Sequence, residues 1–127
     1  MSNTQKQFAS RVCIDDRLTV DEGLFSYTAR IVLDLRTKPS DFANYTPYSP
    51  AEITAWENGK WMFNGMVVSA EYNGISLGDL TSLYGIETNM PGSDNSYLTS
   101  TFYEVLLPEA REQALIALET LRSKLAA

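Results

Sequence analysis

The side chains able to do chemistry in this sequence are carboxylates and one thiol. The chain contains no histidine. That removes the commonest general acid and base, every Ser-His or Cys-His nucleophile pair, and the commonest metal ligand. Cys13, the sole cysteine, lies between Val12 and Ile14 and reads as a buried structural thiol rather than a reactive one. One cysteine cannot form an intramolecular disulfide, so the expected setting is the reducing cytoplasm. Neither GxGxxG nor GxxxxGK followed by Ser or Thr occurs, so no phosphate-cradling loop is expected. The run Gly92-Ser93-Asp94-Asn95-Ser96 falls short of the ligands a calcium loop needs. Paired-carboxylate catalysis asks only that two acids meet in space, which a sequence does not decide. On these grounds the chain is expected to be no enzyme and to carry neither metal nor cofactor.

What is left is a surface. Acids outnumber bases by 16 to 10, a net charge of −6. Residues 1–38 carry six bases and five acids, and residues 105–127 carry three of each. The excess lies between them: residues 39–104 hold eight carboxylates against Lys60 alone. Direct nucleic-acid binding needs Lys and Arg to displace phosphate counterions, and this stretch lacks them. Two readings of the charge remain, ordinary solubility and steering toward a protein partner with a basic surface. Trp56, Trp61, Tyr72, Tyr84, Tyr45 and Tyr48 lie in or beside the acidic region. Aromatic anchors inside a charged rim are how interfaces are built, and aromatic clusters are also how small cores are built. The tryptophans read as core. The candidate partner-binding residues are Tyr45, Tyr48, Glu57, Glu71, Asp79, Tyr84, Glu87 and Asp94.

These side chains need elements to hold them. The length of 127 residues predicts a single domain, with residues 1–7 frayed. Residues 60–72 read as the central strand of a sheet, apolar on both faces. Asn73-Gly74 tolerates positive φ and predicts a two-residue hairpin back through Ile75–Leu77. Gly78 marks a bulge or the end of that strand, and Thr81–Glu87 reads as a further short strand. Phe25 to Arg36 alternates, with Phe25, Tyr27, Ala29, Ile31, Leu33 and Leu35 on one face, which predicts a long half-buried strand. Asp21-Glu22-Gly23 is a turn signal before it. Phe8 to Ile14 predicts a short strand or an arm.

Residues 37–50 form a loop with three prolines and three aromatics. Loops of this length are often functional, so Phe42, Tyr45 and Tyr48 either fold back onto the core or meet a partner. Ser49-Pro50-Ala51-Glu52 fits a capping box ahead of a short helix stopped by Gly59. The rival for residues 50–58 is a hairpin strand pairing Trp56 with Trp61. Tyr97 to Leu106 follows helical spacing until Pro108, which breaks or kinks the run. Leu107, Ala110, Ala114, Leu118, Leu121 and Leu125 then form a stripe with acids early and bases late, as the helix dipole prefers. The stripe reads as core packing, with a homodimer seam over Leu107–Leu125 as the alternative. No apolar run approaches the roughly 20 residues a membrane span requires, and residues 1–10 lack the apolar stretch of a secretory signal. Together these elements predict an α+β domain: a small antiparallel sheet of three to five strands packed against a C-terminal helix.

The run Trp56, Gly59-Lys60-Trp61, Phe63, Gly65 and Val67, followed by Ser82-Leu83-Tyr84-Gly85-Ile86-Glu87, resembles a pattern of small uncharacterised phage and bacterial proteins. There the second segment often reads SLWGIE ahead of a C-terminal helix, and here Tyr84 stands in place of the tryptophan. The resemblance covers roughly residues 53–125 and implies no site residues. In its acidic, histidine-free character the chain is also similar to phage counter-defence proteins, which occupy nucleic-acid-binding surfaces of host enzymes. The expected function is therefore a non-catalytic acidic protein-binding module, an inhibitor of that kind. The alternatives are a small-ligand binder or enzyme with a pocket between residues 37–50 and the sheet, lined by Tyr45, Tyr48 and Trp61, and a structural homo-oligomer.

Overall fold

Two tight turns set the sheet. Asn73 and Gly74 take positive φ of 49° and 80°, the left-handed conformation that hairpin turns matching the strand twist demand. They join β3 (Met62–Tyr72) to β4 (Ile75–Thr88) with Tyr72 opposite Ile75. Gly23, also at positive φ, and Leu24 join β1 (Arg17–Glu22) to β2 (Phe25–Leu33). In the computed structural model, which describes residues 6–45 and 47–126, the four strands lie in the order β1-β2-β3-β4 and are all antiparallel. The expected frayed segment falls mostly on residues 1–5, outside the described residues.

One face of the sheet is apolar and covered. Leu18, Tyr27, Ala29, Ile31, Met66, Val68, Ala70 and Ile86 pack with Leu98, Phe102, Leu106, Leu107, Ala110 and Ala114 of the C-terminal helical run. That run has three parts: α2 (Ser96–Ser100), a π-helical turn (Thr101–Leu106) and α3 (Leu107–Ala126). Pro108 explains the middle part. It has no N–H to donate to Glu104, and its ring would strike that carbonyl in a regular helix. The wider turn relieves the clash, with the Leu107 N–H reaching back five residues to the Phe102 carbonyl. So the helix continues through the proline, where the sequence predicts a break or kink. The stripe's Leu107, Ala110, Ala114 and Leu118 are buried, Leu121 is half-buried and Leu125 is 76% exposed. The result is an α+β fold with a four-stranded sheet under a C-terminal helix.

The opposite face is polar around Thr28 and Arg30. Thr19 and Thr28 share a hydrogen bond of 2.9 Å. Arg30 of β2 reaches over β3 to Asp79 of β4, at 2.9 and 3.2 Å. Such an exposed pair contributes no more than about 1 kcal/mol.

Several expectations are corrected. β2 ends at Leu33, and Leu33 and Leu35 are 52% and 80% exposed rather than buried on the alternating face. The cause is Asp34, whose carboxylate accepts from the Arg36 N–H and from the Thr37 N–H and hydroxyl and so turns the chain off the sheet. Ile75–Leu77 and Thr81–Glu87 are not two strands. They belong to one 14-residue β4 that passes through Gly78 and Gly85, both at positive φ, with register shifts rather than a break. Residues 8–14 form the arm and no strand. Val12 is buried, and its N–H and C=O are held by the Asn89 side chain at 3.0 and 2.8 Å. With Val12 turned inward, Cys13 is exposed, not buried.

Residues 50–58 are helical. In α1 (Pro50–Glu57) the Ser49 hydroxyl accepts from the Glu52 N–H while the Glu52 carboxylate accepts from the Ser49 N–H, and Gly59 at φ 74° closes the end. The hairpin alternative is thereby excluded. Among the described residues no helix is long and apolar enough to cross a membrane.

Candidate functional site

Strand alternation puts Phe63 on the face away from the helices, paired with Glu87 across β3 and β4. A bare phenylalanine there would be wet, and Phe42, Tyr48 and Trp61 cover it. Phe42, from a short 3-10 turn (Pro39–Phe42), stacks on Phe63 with centroids 5.5 Å apart. Tyr48 packs on Trp61 at 5.2 Å, and Trp61 meets Phe63 edge-on at 5.1 Å. Trp61 is buried, and its indole N–H donates to the Glu52 carbonyl at 2.9 Å. Two polar ties hold this second, smaller core. The Tyr48 hydroxyl donates to Glu87 Oε2. Asp34 Oδ2 accepts the Gly85 N–H at 2.8 Å. Burial disfavours the Asp34 anion, but its four hydrogen bonds outweigh that and hold the carboxyl below its ordinary value.

Gly85 sits in a bulge of β4, and beside it Tyr84 lies over Gly65. A Cβ on Gly65 would stand 2.5 Å from Tyr84 Cδ1 and 2.9 Å from Val32 Cγ2. The ring occupies the space that any other residue at position 65 would fill.

Between this smaller core and the helical layer, an open groove of about 660 Å³ runs beside β4. Phe42, Pro47, Tyr48 and Glu52 form one wall. Leu83, Gly85, Ile86 and Glu87 line it from β4, and Met90, Tyr97 and Thr101 close the helical side. Among the described residues, two carboxylates and no base line it. The Tyr97 hydroxyl is buried and has no hydrogen-bond partner among the described residues. Burial first, then the charge of Glu87, pushes its pKa up to about 12. The Tyr48 phenol is raised further by burial, then by its bond to Glu87 and by the charges of Glu87 and Glu52. A second hollow is lined by Leu33, Asp34, Leu35, Arg36, Thr37 and Tyr84.

Of the expected binding residues, the structure brings together Tyr48 and Glu87 in the groove. Tyr84 borders the second hollow. The rest are dispersed. Tyr45 is 83% exposed and lies outside the groove, and Trp61 is packed behind Tyr48, so the pocket expected between Tyr45, Tyr48 and Trp61 is displaced toward β4. Glu57 is exposed at the end of α1, and Glu71 near the Asn73-Gly74 turn. Asp79 is paired with Arg30, which first through hydrogen bonding lowers its pKa. Asp94 accepts the Ser96 N–H at 2.9 Å at the start of α2. Phe42, Glu52, Met90 and Tyr97 were absent from the sequence-derived set. Tyr97 shows only as one position of a helical repeat, and nothing local signals that it meets a loop some fifty residues earlier.

Asp34, Asp79, Glu22 and Asp94 are all shifted toward the ionised form, the wrong direction for a general acid at neutral pH. Among the described residues no group of three or more Cys, Asp or Glu side chains is placed to hold a metal ion. No protein-family model, no curated protein and no solved structure matches this chain.

Proposed function

We propose that this protein is a non-catalytic protein-binding module whose contact site is the groove beside β4. The supporting observation is the groove itself: aromatic and aliphatic walls and, among the described residues, Glu52 and Glu87 as its only charges and a buried Tyr97 hydroxyl without a partner. Apolar anchors framed by charge are the usual build of an interface. The narrower role, inhibition of a host nucleic-acid-binding protein, rests on the acid excess of residues 39–104 and on the phage-like pattern. A groove-centred contact does not require a continuous anionic face. A homodimer seam would have to use Leu121 and Leu125, because the other four residues of the stripe are buried.

The test is a photo-crosslinking amino acid placed at Met90 in the groove, with a control at the exposed Leu115 of α3. Extract from the source cell should give one discrete adduct from position 90 and none from 115. Adducts of equal yield at both, or at neither, would refute the proposal. A small-molecule reading draws on the groove's volume, which lies within the roughly 300–1,000 Å³ of ligand pockets. It calls for a low-molecular-weight adduct at position 90 instead.

A further inference from the structure

We infer that the groove takes an extended segment of the partner chain, added as a fifth strand along the free edge of β4, with a Lys or Arg side chain directed to Glu87. The inference rests on the protein-binding reading above and specifies its partner and geometry. β4 is paired on one side only, to β3, so its other edge presents backbone donors and acceptors. Leu83, Gly85, Ile86 and Glu87 of that edge strand line the groove. Five strand residues span about 16 Å, room for a segment of similar length. The walls suit a strand: one comes from the loop through Phe42 and Tyr48, the other from the helical run through Tyr97 and Thr101. A chain laid between them directs alternate side chains to the two walls. Main-chain bonding of this kind gives affinity, and the pockets for alternate side chains give selectivity.

Charge selects the occupant. Among the described residues, Glu52 and Glu87 are the only charged residues of the lining. Tyr48 uses Glu87 Oε2 and leaves Oε1 without a partner among the described residues, while Glu52 Oε1 is held by the Ser49 N–H. An incoming guanidinium or ammonium finds its acceptor at Glu87. The bulge at Gly85 limits which strands can add. Its N–H is taken by Asp34 rather than by a neighbouring strand.

The test uses fluorescein-labelled hexapeptides of alternating Val and Thr with one central Arg, followed by fluorescence anisotropy on the full chain. The Arg peptide should bind, and replacing its Arg by Glu should weaken binding at least about tenfold. N-methylation of alternate peptide bonds should abolish binding, while the side chains stay the same. Glu87→Gln, which keeps an acceptor for Tyr48, should remove the preference for Arg over norleucine. Binding that ignores N-methylation, or equal binding of the Arg and Glu peptides, overturns strand addition. So does free arginine amide binding as tightly as the peptide, or a chain that self-associates through β4 and binds no peptide. A discrete adduct at position 90 with no peptide binding refutes this inference and leaves the protein-binding reading standing. Absence of both removes the two together.

Discussion

Tyr48 donates its phenol hydrogen to Glu87, and that bond ties the long connection between β2 and β3 to the end of β4. The tie forms one wall of the groove and fixes the carboxylate assigned to the partner. Tyr48→Phe keeps the ring packing on Trp61 and removes the donor. A hydrogen bond to a charged group contributes about 1.5–3 kcal/mol, and the half-buried position argues for the low end. Urea unfolding should therefore show a loss of about 1–2 kcal/mol. Unchanged stability would mean that the bond does not persist in solution.

Both groove phenols should make the fold alkali-sensitive. The Tyr97 pKa rises from 10.0 to about 12 through burial and then the charge of Glu87, and Tyr48 shifts the same way. Folded molecules thus keep protons that unfolded chains release above about pH 10. The unfolded state binds fewer protons there, so stability is intact below that pH and falls as pH rises toward the folded values. Each phenol contributes at most about 1.4 kcal/mol per pH unit. Urea midpoints between pH 9 and 11.5 should fall for the wild type and fall less for Tyr97→Phe. Parallel curves would contradict the burial assigned to that hydroxyl.

Gly65→Ala tests the seat of Tyr84. The added methyl meets Tyr84 Cδ1 and Val32 Cγ2 well inside contact distance. Overpacking of this kind costs about 1–3 kcal/mol. The double variant Gly65→Ala, Tyr84→Ala should lose less than the sum of the single losses, because one clash is then absent. Strict additivity would show that the ring does not rest there.

Asp34→Ala removes four hydrogen bonds at the point where the chain leaves β2. A loss of about 2 kcal/mol is expected. Hydrogen exchange at the Gly85 amide should quicken by more than at Val68, which lies in mid-sheet. Because the Asp34 pKa is lowered in the fold, its contribution is present above the unfolded value. It is lost as pH falls through the folded one. An acid titration of wild type against Asp34→Ala should therefore converge at low pH, and a constant gap would contradict this.

Local signals in the sequence carried the scaffold. Asn73-Gly74 announces its turn because few residue pairs accept two positive φ angles, and the Ser49 to Glu52 box announces α1 because both hydrogen bonds are made within four residues. Phe25 to Ile31 alternates because one face is covered along that whole length. The same alternation misleads at Leu33 and Leu35, where burial depends on where pairing ends, and pairing ends because of Asp34. Gly78 reads as a bulge or a strand end, and the bulge is what forms, because a glycine at positive φ shifts the register of a strand without ending it. Val12 and Cys13 could exchange places on pattern alone; the long-range clamp from Asn89 decides between them. The groove was half legible. Tyr48 and Glu87 stand out as an aromatic and an acid, whereas Met90 and Tyr97 matter only through contacts distant in sequence.

Thr101→Trp gives the most direct measurement of groove binding. The indole would fill the space between the helical run and Tyr48, far from the paired edge of the sheet. With the photo-crosslinker at position 90, this variant should melt within a few degrees of its parent and lose the partner adduct at least about tenfold, as blocking the centre of a contact does. Undiminished adduct from a folded Thr101→Trp protein would contradict binding through the groove.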